Sequence, residues 1–160
     1  VRDAVISANE GQAEAFWRLR DSVSEAERAS GVAAQHDVSV PVDDMPRFMI
    51  EAAAEVERTF PGTEAFGYGH LGDGNVHFHV RAPKGSSDTW PETEGKAVSR
   101  LVHDLVTAAG GSISAEHGIG QMKREELVRL SSPARLHSLR AIKQALDPLG
   151  ILNPGKTVPL

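Results

Sequence analysis

His70, His77 and His79 fall close together around the turn-forming run Gly72-Asp73-Gly74. Imidazoles gathered this way suit two kinds of chemistry, coordination of a divalent ion through neutral nitrogen and proton transfer near neutral pH. Asp-Gly between alternating residues predicts a β-hairpin with a two-residue type I′ turn, whose central positions both need positive φ. With Asp73-Gly74 as that turn, Gly72 faces Asn75, Leu71 faces Val76, His70 faces His77 and Tyr68 faces His79. Directly opposed Cβ atoms lie about 4.5–5.5 Å apart, which lets His70 and His77 share one ion. A lone histidine is ordinarily a surface or hydrogen-bonded core residue, but an opposed pair gains little without an ion or partner between the rings. Gly67, Gly69 and Gly72 also match Gly-x-Gly-x-x-Gly. That dinucleotide fingerprint needs a helix to open in the glycine turn, and here a strand, about residues 75–81, follows instead.

Ser114-Ala115-Glu116-His117-Gly118-Ile119-Gly120 is the second chemically loaded stretch. Glycines at a strand-to-helix junction permit close backbone approach, so Glu116 and His117 can enter one cleft. The plainer reading is that Glu116 favours the N-terminus of the following helix, a use worth ~0.3–1 kcal/mol. Joined to the hairpin, Glu116 supplies a hard oxygen that completes a His70, His77, Glu116 site with positions open to water or substrate. His117 beside it suits a general base that takes a hydroxyl proton from a substrate polarised by the ion. Easier proton loss eases departure of hydride, which requires an acceptor, and the sequence offers no motif to hold one.

The elements that position these residues are read from periodicity and caps. Asp3 to Ser7 reads as the end of a strand. Residues from Asn9, a candidate N-cap, to about Ala29 read as a helix burying Ala13, Phe16, Trp17, Leu19 and Val23. A half-buried strand over 36–42 and a helix over 46–59 follow, then hairpin strands at 64–71 and 75–82. A linker over 83–91 leads to a helix at 92–109, a short strand at 112–115, helices at 121–130 and 133–146, and a turn-rich tail from Asp147. Strands joined alternately by helices and a hairpin predict an α+β fold, a ferredoxin-like antiparallel or mixed sheet with helices on one face, plus C-terminal helices.

The totals narrow the function classes. The chain has 160 residues, is 40% hydrophobic and 24% charged, and carries a net charge of −5, so one globular domain is expected. With no basic run, nucleic acid is an unexpected partner. No stretch is apolar for long enough to span a membrane. With no cysteine, a metal must be held by His and carboxylate. The chain opens on Val1 and enters helix-like sequence almost at once, which reads as part of a longer protein.

Three motifs in order carry a resemblance: Gly69-His70-Leu71-Gly72-Asp73-Gly74-Asn75-Val76-His77, Ser114-Ala115-Glu116-His117-Gly118-Ile119-Gly120, and Asp147-Pro148-Leu149-Gly150-Ile151-Leu152-Asn153-Pro154-Gly155-Lys156. With Phe16-Trp17-Arg18-Leu19-Arg20-Asp21 and His36-Asp37-Val38-Ser39-Val40-Pro41, they make nearly the whole chain resemble the C-terminal domain of FAD-linked oxidases of the vanillyl-alcohol-oxidase type, in the D-2-hydroxyacid dehydrogenase branch. The resemblance implies zinc or manganese on His70, His77 and Glu116, with His117 as base during hydride transfer from substrate C2 to FAD. It implies that Arg20, Gln35 and His79 contact substrate, Arg20 through its carboxylate, and that Asn153 lies toward the flavin. Relatives often carry Lys at the position of Gln35, so a second substrate carboxylate is expected to be held less well and a D-lactate-like hydroxyacid is favoured. It further implies an N-terminal FAD-binding domain as partner, a downstream electron acceptor, and an enzyme that is cytoplasmic or peripheral to a membrane through that acceptor. Oligomeric state stays open, a homo-oligomer included. The competing readings are a self-contained His/Glu metallohydrolase and a non-catalytic binding or dimerisation module.

Overall fold

The computed structural model describes residues 4–156, and the chain divides into two compact units, residues 1–32 and 33–160. The first holds α1 (Glu10–Asp21) and α2 (Val23–Ala29). The Asn9 side chain caps α1 by accepting the Gln12 N–H at 2.9 Å, as expected of an N-cap. The single expected helix breaks at Ser22, whose hydroxyl donates to the Leu19 carbonyl at 2.8 Å, the competition with the backbone ladder that disfavours Ser in helix interiors. The apolar face expected to be buried is not: Trp17 and Leu19 are 64% and 69% exposed. Within its own unit this helix pair has no opposing layer to cover it. Ala4 to Ser7 form no strand, and Asp3 lies outside the described residues.

The second unit runs β1 (Ala33–Ser39), α3 (Met45–Thr59), β2 (Glu64–His70), β3 (Asn75–Arg81), α4 (Gly95–Ala108), α5 (Arg124–Leu130) and α6 (Pro133–Leu146). The sheet has the order β1-β3-β2 and both pairings are antiparallel, so among the described residues the sheet is purely antiparallel. Beyond β1, Ser112 makes one antiparallel bridge to Ser39. The path is therefore strand, helix, hairpin, helix and a one-residue remnant of a fourth strand, the ferredoxin-like order.

Alternation divides the sheet into two unlike faces. Val38, Val76, Phe78 and Val80 are fully buried on one face, against Val56 of α3 and Val98, Val102 and Val106 of α4. Burial of each such side chain stabilises by roughly 1.5–3 kcal/mol. The other face carries Gln35 and Asp37 of β1, His77 and His79 of β3, and Phe66, Tyr68 and His70 of β2.

Several element boundaries differ from the sequence reading. β1 ends at Ser39, three residues before expected, because the Val40 N–H goes to the Gly74 carbonyl at 3.0 Å and Pro41 has no N–H to give. α4 starts at Gly95 after a separate 3-10 turn, Trp90–Glu92. The strand expected at 112–115 is cut to its single bridge: the Ala115 N–H is shared between the carbonyl and the carboxylate of Asp37, and the N–H groups of Glu116 and His117 go to that carboxylate instead of a ladder. α5 begins only at Arg124. The tail after α6 is irregular, as expected, and is organised by Asp147, which accepts the N–H groups of Ile151 and Leu152 at 3.0 Å each. Among the described residues, no helix is long and apolar enough to cross a membrane.

Candidate metal centre

The hairpin turns by a longer route than the two-residue turn expected of Asp73-Gly74. His70 pairs with Asn75, Tyr68 with His77 and Phe66 with His79, so Leu71 to Gly74 form a four-residue loop. The His70 carbonyl accepts the N–H groups of Asp73 at 3.3 Å and Gly74 at 3.1 Å, while the Asp73 side chain takes the Asn75 N–H at 3.0 Å. Only Gly74 in this loop has positive φ, +75°, whereas a type I′ turn needs two such residues. His70 and His77 are consequently diagonal rather than opposed. The register differs from expectation by two residues, the side-chain period, so both stay on one face with ring centroids 5.3 Å apart.

Glu116 meets them from the loop after Ser112. His70 Nδ1 is 3.3 Å from Glu116 Oε1, and His77 Nε2 is 4.0 Å from Glu116 Oε2. The three ligand atoms lie within 4.8 Å of one another. A tetrahedral ion with bonds of about 2.0–2.2 Å needs its ligands roughly 3.3–3.6 Å apart, so donor set and spacing fit a divalent ion after a small closure. Two nitrogens and one carboxylate, with His70 and Glu116 partly exposed, leave room for a further ligand.

Asp37 was not among the residues singled out from sequence. It is 4% exposed, pairs with His77 across the ladder, and its Oδ2 accepts the N–H groups of Ala115, Glu116 and His117 at 3.2, 2.8 and 2.8 Å. Burial opposes its ionisation, but the His117 and Glu116 N–H donors and the charges of His117 and Lys123 outweigh that, holding its carboxyl below the usual range. The signal available in the sequence was an acid in a strand, on the face opposite Val38. Lys123, also missed, donates Nζ to the carbonyls of Asp37 at 3.2 Å and Ile113 at 2.8 Å, tying this loop to β1. Gly118 and Gly120 have φ +72° and +55° with open space where a Cβ would stand. Their role is the left-handed turn out of the site rather than the close approach expected of them.

His117 follows on the same loop, with Nδ1 3.8 Å from Asp37 Oδ2 and its ring centroid 6.5 Å from that of His77. His79 lies two residues along the same face, edge-on to Phe66 and Tyr68. It is buried, its Nδ1 has no hydrogen-bond partner, and burial with the neighbouring His77 pushes its pKa down to about 4, so it is neutral at pH 7. Gln35 pairs with His79 and is exposed. A cleft of about 1170 Å³ runs between β1, α4 and residues 117–126, and its walls include Gln35, Asp37 and His117 but not His70 or His77. Arg20 belongs to the first unit, on the last turn of α1, 3.9 Å from Asp21. Asn153 lies in the tail at φ +48°, with its carbonyl accepting the Lys156 N–H at 3.3 Å. The structure thus gathers His70, His77, Glu116 and His117, with His79 and Gln35 farther along the same face of the sheet. Gly67, Gly69 and Gly72 run along β2 into the hairpin loop and a strand follows, so they form no pyrophosphate cradle.

The family described as FAD linked oxidases, C-terminal domain, matches residues 1–157. D-2-hydroxyglutarate dehydrogenase of Stutzerimonas stutzeri (strain A1501) is 39% identical over 158 residues, covering 98% of this chain and 33% of the relative. The protein of that name from Xanthomonas citri pv. viticola is 38% identical over 156 residues, covering 98% and 33%. The mitochondrial D-2-hydroxyglutarate dehydrogenase of Arabidopsis thaliana is 35% identical over 159 residues, covering 99% and 27%. The chain therefore spans a third or less of the length of these relatives.

Proposed function

The chain belongs to the family of C-terminal domains of FAD-linked oxidases, and on that premise we propose that it is the substrate- and metal-binding part of a flavoenzyme that oxidises a D-2-hydroxyacid to the 2-oxoacid. The observation that carries the reading is the convergence of His70, His77 and Glu116 beside His117. His70, His77 and Glu116 would hold a zinc or manganese ion, which would supply Lewis-acid polarisation of a substrate oxygen. His117 has its Nδ1 toward Asp37, leaving Nε2 to take the C2 hydroxyl proton. Loss of that proton eases departure of the C2 hydrogen as hydride, for which FAD would supply the acceptor. The family description supports FAD as the cofactor, which a separate N-terminal domain would hold, with Asn153 of this chain as a contact to it. The guanidinium fork of Arg20 suits a substrate carboxylate.

The names of the similar proteins bring D-2-hydroxyglutarate forward as a substrate. Gln35, on the site's face, offers a second carboxylate hydrogen bonds without charge, which weakens rather than forbids a dicarboxylate. The first test is metal content of the purified chain beside His77→Ala. Near-stoichiometric zinc or manganese lost in the variant supports the centre, and a metal-free wild type counts against it. Flavin reduction by D-2-hydroxyglutarate and by D-lactate, with the chain joined to its flavin-bearing portion, then tests the reaction and ranks the two acids. Reduction by neither overturns it.

A further inference from the structure

Asp37 has two oxygens in different circumstances. Oδ2 is saturated by three successive backbone N–H groups, those of Ala115, Glu116 and His117. Oδ1 is buried with no hydrogen-bond partner, and the group it faces is His77 Nδ1, 4.0 Å away. A buried acceptor left unsatisfied costs of order 1–3 kcal/mol, so the arrangement asks for a donor there. His77 presents its other nitrogen, Nε2, to Glu116.

From this geometry we infer that Asp37 is a positioning residue for the metal centre, fixing with one oxygen the backbone that carries Glu116 and His117 and with the other the Nδ1–H tautomer of His77. The inference rests on the metal-centre reading above and adds to it a residue that touches neither metal nor substrate. Two of the three ligands and the proposed base come from elements far apart in sequence, a hairpin strand and a loop some forty residues on. One buried carboxylate on the adjoining strand holds both in register. A hydrogen fixed on Nδ1 leaves the Nε2 lone pair free for an ion, and a carboxylate behind it makes that nitrogen a better donor to the metal.

Asp37→Asn separates this role from loop holding alone. The amide oxygen can still accept the three N–H groups, but the amide NH₂ must then face His77 Nδ1, which becomes an acceptor and moves the ring hydrogen to Nε2. The experiment uses ¹⁵N-labelled histidine in the metal-free chain at about pH 8.5, where an ordinary imidazole is neutral, to read the His77 tautomer. Zinc and manganese titrations by calorimetry accompany it. Wild type is expected to show Nδ1–H and Asp37→Asn Nε2–H, with metal affinity falling about 10–100-fold. An Nε2–H tautomer in wild type overturns the inference, as does an Asp37→Asn chain with unchanged tautomer and affinity within about twofold. Two ions per chain also overturn it, because Asp37 with Glu116 and His117 would then be ligands of the second. A wild type that binds neither metal overturns the metal centre, while the tautomer still decides what Asp37 does. If Asp37→Asn does not fold, the wild-type tautomer alone decides.

Discussion

The sheet carries histidines on both faces, and the two sets are finished differently. On the helical side, the His36 Nδ1–H donates to the Phe78 carbonyl at 2.9 Å and Nε2 bonds the Ser99 hydroxyl at 2.9 Å, so both ring nitrogens are satisfied. Burial, then the neighbouring His103, pushes the His36 pKa down to about 3. On the other side, His70 Nδ1 and His77 Nε2 face the two oxygens of the half-exposed Glu116 carboxylate across 3.3 and 4.0 Å. Histidines of one sheet can therefore be core residues or ligand candidates, and what separates them is the group they meet, a buried carbonyl and hydroxyl for His36 and a half-exposed carboxylate for His70 and His77. His103 is the intermediate case, with Nδ1 donating to Glu126 at 3.0 Å and Nε2 without a partner.

The strongest way to break this contrast is to delete one histidine from each face. His77→Ala is expected to weaken zinc or manganese binding by about 100-fold or more, since one of three protein ligands is lost. His36→Ala should leave the affinity within about twofold. Calorimetric titration of both variants checks this, and equal losses would mean that the back face supports the site as much as the front. The stability ranking should run the other way. His36→Ala removes a fully buried ring and strands the Phe78 carbonyl and Ser99 hydroxyl, costing about 2–4 kcal/mol in urea unfolding.

Acid sharpens the same contrast. The folded pKa of His36, about 3, lies below the ordinary 6.5, so between those values the unfolded chain binds a proton that the folded chain does not. The stability held by neutral His36 is complete above about pH 6.5 and is lost as pH falls toward 3, at up to about 1.4 kcal/mol per pH unit. His103, lowered by burial against the raising effect of Glu126, acts in the same direction. Urea midpoints from pH 7 to 4 should fall, and His36→Gln should flatten the slope. An unchanged slope would show that His36 is not what the acid side titrates.

Much of this was legible in the sequence. Val98, Val102 and Val106 at helical spacing gave the buried face of α4, and the strand-helix-hairpin-helix order gave the α+β layer. Period-two alternation placed His70 and His77 on one face even though the turn was assigned two residues too short, because an error of two preserves the face. What stayed hidden depends on contacts between distant segments. Asp37 reads locally as one acid in a strand, and nothing near it shows that residues 115–117 will bring it three N–H groups. The break of the first helix at Ser22 rests on one hydroxyl's choice of the Leu19 carbonyl, which periodicity does not register.

The smallest expected effect discriminates the two uses of Glu116. Its side chain is 47% exposed and its place on the loop is set by the Asp37 bond to its backbone N–H at 2.8 Å, not by its own carboxylate. Glu116→Gln in metal-free protein should therefore change stability by no more than about 0.5 kcal/mol, the range for an exposed side chain with no structural duty. Added zinc or manganese should raise the melting temperature of wild type, because a ligand that binds only the folded state stabilises it, and should do so far less in the variant. Thermal melts with and without metal read both at once. If the metal-free variant instead loses about 1 kcal/mol and metal shifts both proteins equally, Glu116 is an acidic residue favouring the turn toward α5. The front-face histidines would then be fold residues like His36 rather than ligands.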